Sequence, residues 1–196
     1  MDPIERALKL RQEADLILSQ VRVYEILRPH GIVVRTGSYL LDVMAYPDID
    51  LYMSKVPIDT LFAIGGELAK SDLVFQVVFE KSDDPRLPGG LYLKPRIKYG
   101  DWGRPWKIDI WSLDDAVIDQ LMQPVRHFQS KMTAELREQI LRYKISVMTK
   151  ANRTPMYSGY FIYKAFIDEG MTDFQQVTAY LTANGIRMEP GKPALS

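Results

Sequence analysis

The chain contains no cysteine, which removes disulfides, thiolate zinc sites and cysteine nucleophiles together. Its two histidines, His30 and His127, are too few for a multi-histidine metal site. An excess of one charge is also missing. The 25 basic and 25 acidic residues cancel, so no bulk field draws the chain to nucleic acid or to a membrane surface, and a nucleic-acid partner is not expected. No apolar run approaches the roughly 18 residues of a membrane helix. The opening Met-Asp-Pro-Ile-Glu-Arg lacks the basic-then-apolar pattern of a signal peptide. The expectation is no membrane partner and a cytoplasmic location.

What is present is ordinary globular material. At 46% hydrophobic and 26% charged residues, the 196-residue chain can bury a core of normal size, as one domain or as one domain with a smaller appendage. Apolar residues Leu10, Ala14, Ile17, Val21, Tyr24 and Leu27 recur at helical spacing, predicting one helix over residues 4–27 that stops before Pro29. Residues 31–34 form a short β-branched run closing on Thr36-Gly37-Ser38, a buried strand ending in a tight turn. A short helical or looped segment, 39–46, leads to a strand over 48–53.

A helix from 58 to 69 is weakened by Gly65-Gly66. Strands follow over 73–79, over 91–99, where Pro95 predicts a sheet edge, and over 106–111. Beyond Ser112 the pattern is helix only: 114–122, 133–149, 156–168 and 172–183, with Pro124 and Pro155 between helices, and Gly170 and Gly185 as stops. The predicted class is α+β: a mixed β-sheet flanked by helices over residues 1–122, then a helical bundle over 123–196 that ends in a loose tail at 189–196.

The candidate chemistry lies in the strands. Asp48 and Asp50 are two apart, so on a strand both carboxylates face the same side and can face one ion. In Trp-Lys-Ile-Asp-Ile-Trp (106–111) the same alternation puts Lys107, Asp109 and Trp111 on one face. An acid between two isoleucines is costly to bury unless it is paired or binds a cation, which makes Asp109 a candidate third ligand. If its strand lies beside 48–53, three carboxylates converge and their repulsion demands a cation. An all-oxygen set suits magnesium or manganese. Upstream, Gly37 lets backbone amides approach a phosphate closely, and the Ser38 hydroxyl can donate to a phosphate oxygen.

Gly37-Ser38, nine intervening residues, Asp48-Ile49-Asp50 and the later Asp109 together resemble the DNA polymerase beta-like nucleotidyltransferases, which include the kanamycin nucleotidyltransferases. The match in kind, order and spacing covers roughly residues 30–112. The resemblance implies a nucleotidyltransferase-type fold that moves a nucleoside monophosphate onto a hydroxyl of a small molecule or protein, with ATP as the expected donor and pyrophosphate as leaving group. It implies Mg2+ or Mn2+ on Asp48, Asp50 and Asp109, with Asp109 also taking the attacking hydroxyl's proton. Many such enzymes carry a helical bundle after the sheet, similar to residues 113–185, whose basic residues hold the triphosphate. Lys144 and Lys150 are the candidates here, against the plainer reading of a solvated helix face.

The sequence departs from the family pattern in two respects: Tyr39, Leu40 and Leu41 follow the turn where a basic or small polar residue is common, and Pro47 precedes Asp48 where a Ser or Gly is common. Positive charge for a triphosphate has to come from elsewhere. Lys94, Arg96 and Lys98 alternate on one strand face, either as a lysine-guarded edge or as a groove for phosphate or an acidic acceptor. The tryptophans and tyrosines fit a core, His127 a structural contact, and Asp114 and Asp115 a helix cap. Two rival functions remain: a non-catalytic member of the same fold, acting as a binding module or as an antitoxin-like partner, and a metal-dependent glycosyltransferase using Asp48 and Asp50.

Overall fold

Asp2 starts the first helix. Its carboxylate accepts the amides of Ile4 at 2.8 Å and Glu5 at 3.4 Å, and Pro3 at the first helical position gives up an amide that would lack a helical partner anyway. In the computed structural model, which describes residues 1–188, this helix, α1, spans Pro3–Gln20. The tail expected over 189–196 lies outside the described residues. The single helix predicted over 4–27 is two, because Arg22 adopts a left-handed backbone (φ 59°) and α2, Val23–Leu27, starts beyond it. The break lets Val21 and Val23 bury in the same core. A straight helix would point them to opposite sides.

Five strands form one mixed sheet: β1 (Val33–Thr36), β2 (Ile49–Ser54), β3 (Val74–Lys81), β4 (Leu91–Ile97) and β5 (Trp106–Leu113), in the order β1-β2-β5-β4-β3. Only β2 and β5 run parallel; the other neighbours are antiparallel. Ile49, Leu51 and Met53 alternate inward along β2, as do Ile108 and Ile110 along β5. They pack with α1, α2 and α4 (Ile58–Leu68) into the larger core. Gly65 makes close packing of α4 possible: a Cβ there would lie 3.3 Å from a Leu93 methyl on β4. The first strand, predicted as buried, is a half-buried edge strand.

Two proline expectations are corrected. β4 is not an edge strand; it lies between β5 and β3. Its pairing with β5 keeps one register but is interrupted between Leu93, opposite Ile110, and Arg96, opposite Lys107, so that Lys94 and Pro95 pair only with Val78 and Val77 of β3 and the missing amide of Pro95 costs little. Pro124 is not between helices but inside α5, Asp115–Lys131. Ile118 and Met122 before it and Val125 and Phe128 after it continue one apolar stripe into the cores, and that burial on both sides outweighs a proline cost of about 3 kcal/mol. The helix predicted over 114–122 therefore runs on past residue 122, where the sequence pattern puts the boundary between the sheet half and the helical bundle.

Asp114 holds the N-cap position of α5 without capping: its carboxylate accepts from Lys55 at 3.1 Å, while Asp115 accepts from Ser54 Oγ at 2.7 Å. Helices α6 (Ala134–Ser146), α7 (Ser158–Ile167) and α8 (Phe174–Ala183) follow. They form a second core with Ala7 of α1 and with Leu41 and Val43, which flank the end of the short helix α3 (Gly37–Leu41). Segments from the two ends of the sequence thus meet around the 37–48 stretch. Among the described residues no helix is long and apolar enough to cross a membrane.

Candidate active site

The parallel pairing of β2 with β5 sets Asp50 directly beside Asp109. Asp48 sits two residues earlier on the same face, level with Lys107. The three carboxylates each offer an oxygen within 4.8 Å of the others. Asp48 is buried, and Asp50 and Asp109 are half-buried. Burial pushes the Asp48 and Asp50 carboxyls above their ordinary pKa; for Asp50 the neighbouring Asp48 and Asp109 charges add to the rise, while for Asp48 the nearby Lys107 opposes it.

Gly37, at φ +59°, stands against this cluster. A Cβ at that position would collide with the Asp50 carboxylate and come within 3.1 Å of its Cγ. Ser38 follows it, and its Oγ is 3.1 Å from the Tyr163 hydroxyl of α7 and accepts from Lys144 Nζ of α6 at 2.9 Å. Lys144 is almost fully buried. It also donates to the Val43 carbonyl at 2.6 Å, and its ammonium faces the ring of Tyr46 at 5.6 Å. Burial lowers its pKa to about 8, with Asp48 and Asp50 pulling the other way. The positive charge that Tyr39–Leu41 do not supply thus comes to Ser38 from a residue 106 positions later.

Of the residues predicted from sequence, Asp48, Asp50, Asp109, Gly37, Ser38 and Lys144 come together. Lys150 does not: it is exposed in the turn after α6, and among the described residues no hydrogen bond or ion pair joins it to the cluster. His127 Nε2 meets Asp168 Oδ1 at 2.7 Å on the surface, a contact between α5 and the end of α7.

Other residues at the site carry weaker signals or none. Lys107 shares a strand face with Asp109, and its Nζ lies 2.8 Å from Asp48 Oδ1 and in contact with Asp109 Oδ2. Burial alone would lower its pKa, but Asp48, Asp109 and Asp50 outweigh burial and raise it. The Tyr92 hydroxyl donates to Asp109 Oδ1 at 2.5 Å. Arg104 lies over the Tyr46 ring at 5.3 Å, with Asp48 close enough to offset part of the lowering that burial imposes on its pKa. Nothing in the local pattern around Tyr92, Arg104 or Tyr163 marks them, because each reaches the site through tertiary packing.

The donor set fits a hard divalent cation. It is all carboxylate oxygen, and Gly37 leaves room for the Asp50 side chain. One oxygen also lacks a proper partner. Asp48 Oδ1 is at ion-pair distance from Lys107 but off the directions a hydrogen bond requires, so among the described residues this buried atom makes none.

No protein-family model matches the chain, and no curated protein matches it. Solved structures with a similar chain path include that of the Cid1 poly(U) polymerase with MgGTP, at 16% identity and TM-score 0.46, covering 71% of this chain and 43% of that one. A cytoplasmic RNA terminal U-transferase gives 17% and 0.45, with coverage of 68% and 39%. The GLD-2/RNP-8 complex gives 13% and 0.46, with coverage of 99% and 71%. The chain spans less than half of the first two. At these scores the likeness carries no functional weight, and the site's meaning rests on its own geometry.

Proposed function

We propose that the chain is a divalent-metal-dependent nucleotidyltransferase of the DNA polymerase beta-like type, moving AMP from ATP to a hydroxyl on a small molecule or protein. One observation carries this reading: three carboxylates from two parallel neighbouring strands converge within 4.8 Å against a Gly-Ser turn whose hydroxyl is held by a buried lysine. Asp48, Asp50 and Asp109 would hold the cation, whose charge supports both the entering and the leaving oxygen of an in-line displacement.

In this reading the sheet half supplies the metal ligands and the helical half, through Lys144 and Tyr163, supplies the phosphate end. Ser38 Oγ, already hydrogen-bonded to Lys144, donates to a terminal phosphate oxygen, with the ammonium directly behind it. Arg104 and Lys107 add positive charge beside Asp48. The acceptor oxygen attacks the α-phosphorus, its proton passes to Asp109, and the bond to the β-phosphate breaks to release pyrophosphate. Holding these groups in place before reaction is the protein's main contribution.

One observation favours a second acceptor class, the terminal hydroxyl of a single-stranded nucleic acid. Arg96 pairs opposite Lys107 and so shares the site face of the sheet. Its guanidinium and Lys98 Nζ both lie over the ring of the exposed Phe75, at 5.4 and 5.7 Å. A basic strip with an exposed aromatic is a stacking platform.

The test is thermal melting with each nucleoside triphosphate and with sugar nucleotides, in the presence and absence of Mg2+ or Mn2+. A metal-dependent rise with ATP is expected, and Asp50→Asn should abolish it. A rise with sugar nucleotides alone would move the protein to the glycosyltransferases. No rise with any triphosphate would leave the reading without support. Product analysis with α-labelled ATP, small hydroxyl compounds and oligonucleotides then identifies the acceptor.

A further inference from the structure

The carboxylate cluster carries its own cation. Lys107 Nζ sits between Asp48 Oδ1 at 2.8 Å and Asp109 Oδ2, with only 16% of the lysine side chain exposed and 12% and 14% of the two acids. The Tyr92 hydroxyl takes the other Asp109 oxygen, so both oxygens of the third metal ligand are engaged within the protein. Asp50 differs: among the described residues its carboxylate receives no hydrogen bond and no ion pair. Lys107 and Asp109 are two apart on one strand and share its face, so the ammonium cannot leave the neighbourhood. Its four-carbon stem does let it swing aside.

We infer that Lys107 is a built-in counter-ion that competes with the divalent cation for the Asp48–Asp109 pair, so that the free protein holds metal weakly. This rests on the nucleotidyltransferase reading above and deepens it. A triphosphate brings negative charge that can draw the ammonium away from Asp48 and Asp109, so nucleotide and metal load together. The acidic cluster would then take up metal only weakly when no triphosphate is present. With Lys107 moved off, Asp109 Oδ2 also becomes free for a metal or a proton.

Mn2+ binding followed by the electron paramagnetic resonance signal of the free ion tests this without any turnover. Wild type, Lys107→Met and Lys107→Arg are titrated at one pH and ionic strength, with and without a non-hydrolysable ATP analogue. Without nucleotide, Lys107→Met should bind Mn2+ at least about tenfold more tightly than wild type, since a unit charge a few ångströms away is removed. Lys107→Arg should stay near wild type, and the analogue should narrow the gap between wild type and Lys107→Met. If Lys107→Met melts too low to titrate, Lys107→Gln carries the same expectation. Equal or weaker Mn2+ affinity in the neutral variants, with wild type still loading metal alongside the analogue, overturns the role of Lys107 and leaves the proposed function standing. No Mn2+ binding by any variant, even with the analogue, overturns both.

Discussion

Replacing Gly37 by alanine separates backbone strain from damage to the site. Gly37 is at φ +59°, and a Cβ there would strike the Asp50 carboxylate, with Asp50 Cγ at 3.1 Å and Cβ at 3.3 Å. Gly170 has nearly the same backbone, φ +63°, with nothing within 4 Å of a Cβ. Gly170→Ala therefore pays only for the left-handed conformation, about 1 kcal/mol, or a Tm lower by about 2–4 °C for a chain of this size. Gly37→Ala pays the same and must also push the Asp50 carboxylate aside by roughly an ångström, off its rotamer, for about 1 kcal/mol more. On the proposed function the larger consequence is kinetic, because an ångström of misplacement at a group that would hold the metal is worth about a hundredfold in rate. Differential scanning calorimetry gives the Tm pair, and Mn2+ titration with pyrophosphate release gives the function. A Gly37→Ala protein that melts with Gly170→Ala and keeps wild-type metal binding would show that Asp50 does not need its present position, and the reasoning from the Gly-Ser turn would fail.

Lys144 should leave a signature in stability against pH. Its folded pKa, lowered to about 8 by burial, lies below its ordinary value of 10.5, so between these values the unfolded chain binds more protons and stability rises with pH. Tyr46 and Tyr52, pushed up to about 12 by burial, act in the opposite sense above pH 10, where unfolded tyrosines ionise, so the window is about pH 8–10. Urea unfolding without metal or phosphate should show a rise of up to about 1.4 kcal/mol per pH unit there. The rise should flatten in Lys144→Met; an unchanged slope in that variant would assign it to other groups. Glu13 is buried, and its Oε2 accepts both Trp102 Nε1 at 2.7 Å and Trp106 Nε1 at 3.2 Å. Glu13→Ala strands two indole donors and should cost about 2–4 kcal/mol with a shift in tryptophan emission, while Glu13→Gln should recover much of the loss. Equal losses in both variants would mean that packing matters here rather than the acceptor.

The residues that alternate on strands are the ones whose placement the sequence makes legible. Asp48, Asp50 and Asp109 stand out because a period of two places an acid on a face between buried neighbours, and because acids in short apolar strands need a reason. The parallel pairing of β2 with β5, which makes them one cluster, is not written locally. It depends on which strands the crossover brings together. Lys144 is one of several basic residues in its helix by pattern, and only the docking of α6 and α7 against the 37–48 stretch selects it over Lys150. Tyr163 reaches Ser38 across 125 residues, while its helical spacing with Tyr157 and Tyr160 reads only as core. Both proline errors share a cause. A local rule assigns Pro95 to an edge and Pro124 to a helix end, while the register of β4 on β5 and the apolar stripe of α5 decide otherwise.

A structural ion-pair network is the competing account of the same acids, and the distribution of partners argues against it. A network retained for stability pairs each buried charge, because breaking one such pair leaves an uncompensated charge at about 3–5 kcal/mol. Here Lys107 serves both Asp48 and Asp109, while the buried Lys144 makes its hydrogen bonds to Ser38 and the Val43 carbonyl rather than to a carboxylate. Asp50, between them, is left with no cation in contact among the described residues, and Gly37 gives up a side chain to make room for it. Apolar residues of similar volume in place of a buried ion pair are often neutral or stabilising, so stability alone does not account for these acids. With only Lys107 in direct contact with the three acids, and Asp50 left beside a hydroxyl and a lysine that bonds elsewhere, the arrangement is the one the proposed divalent cation and triphosphate would complete.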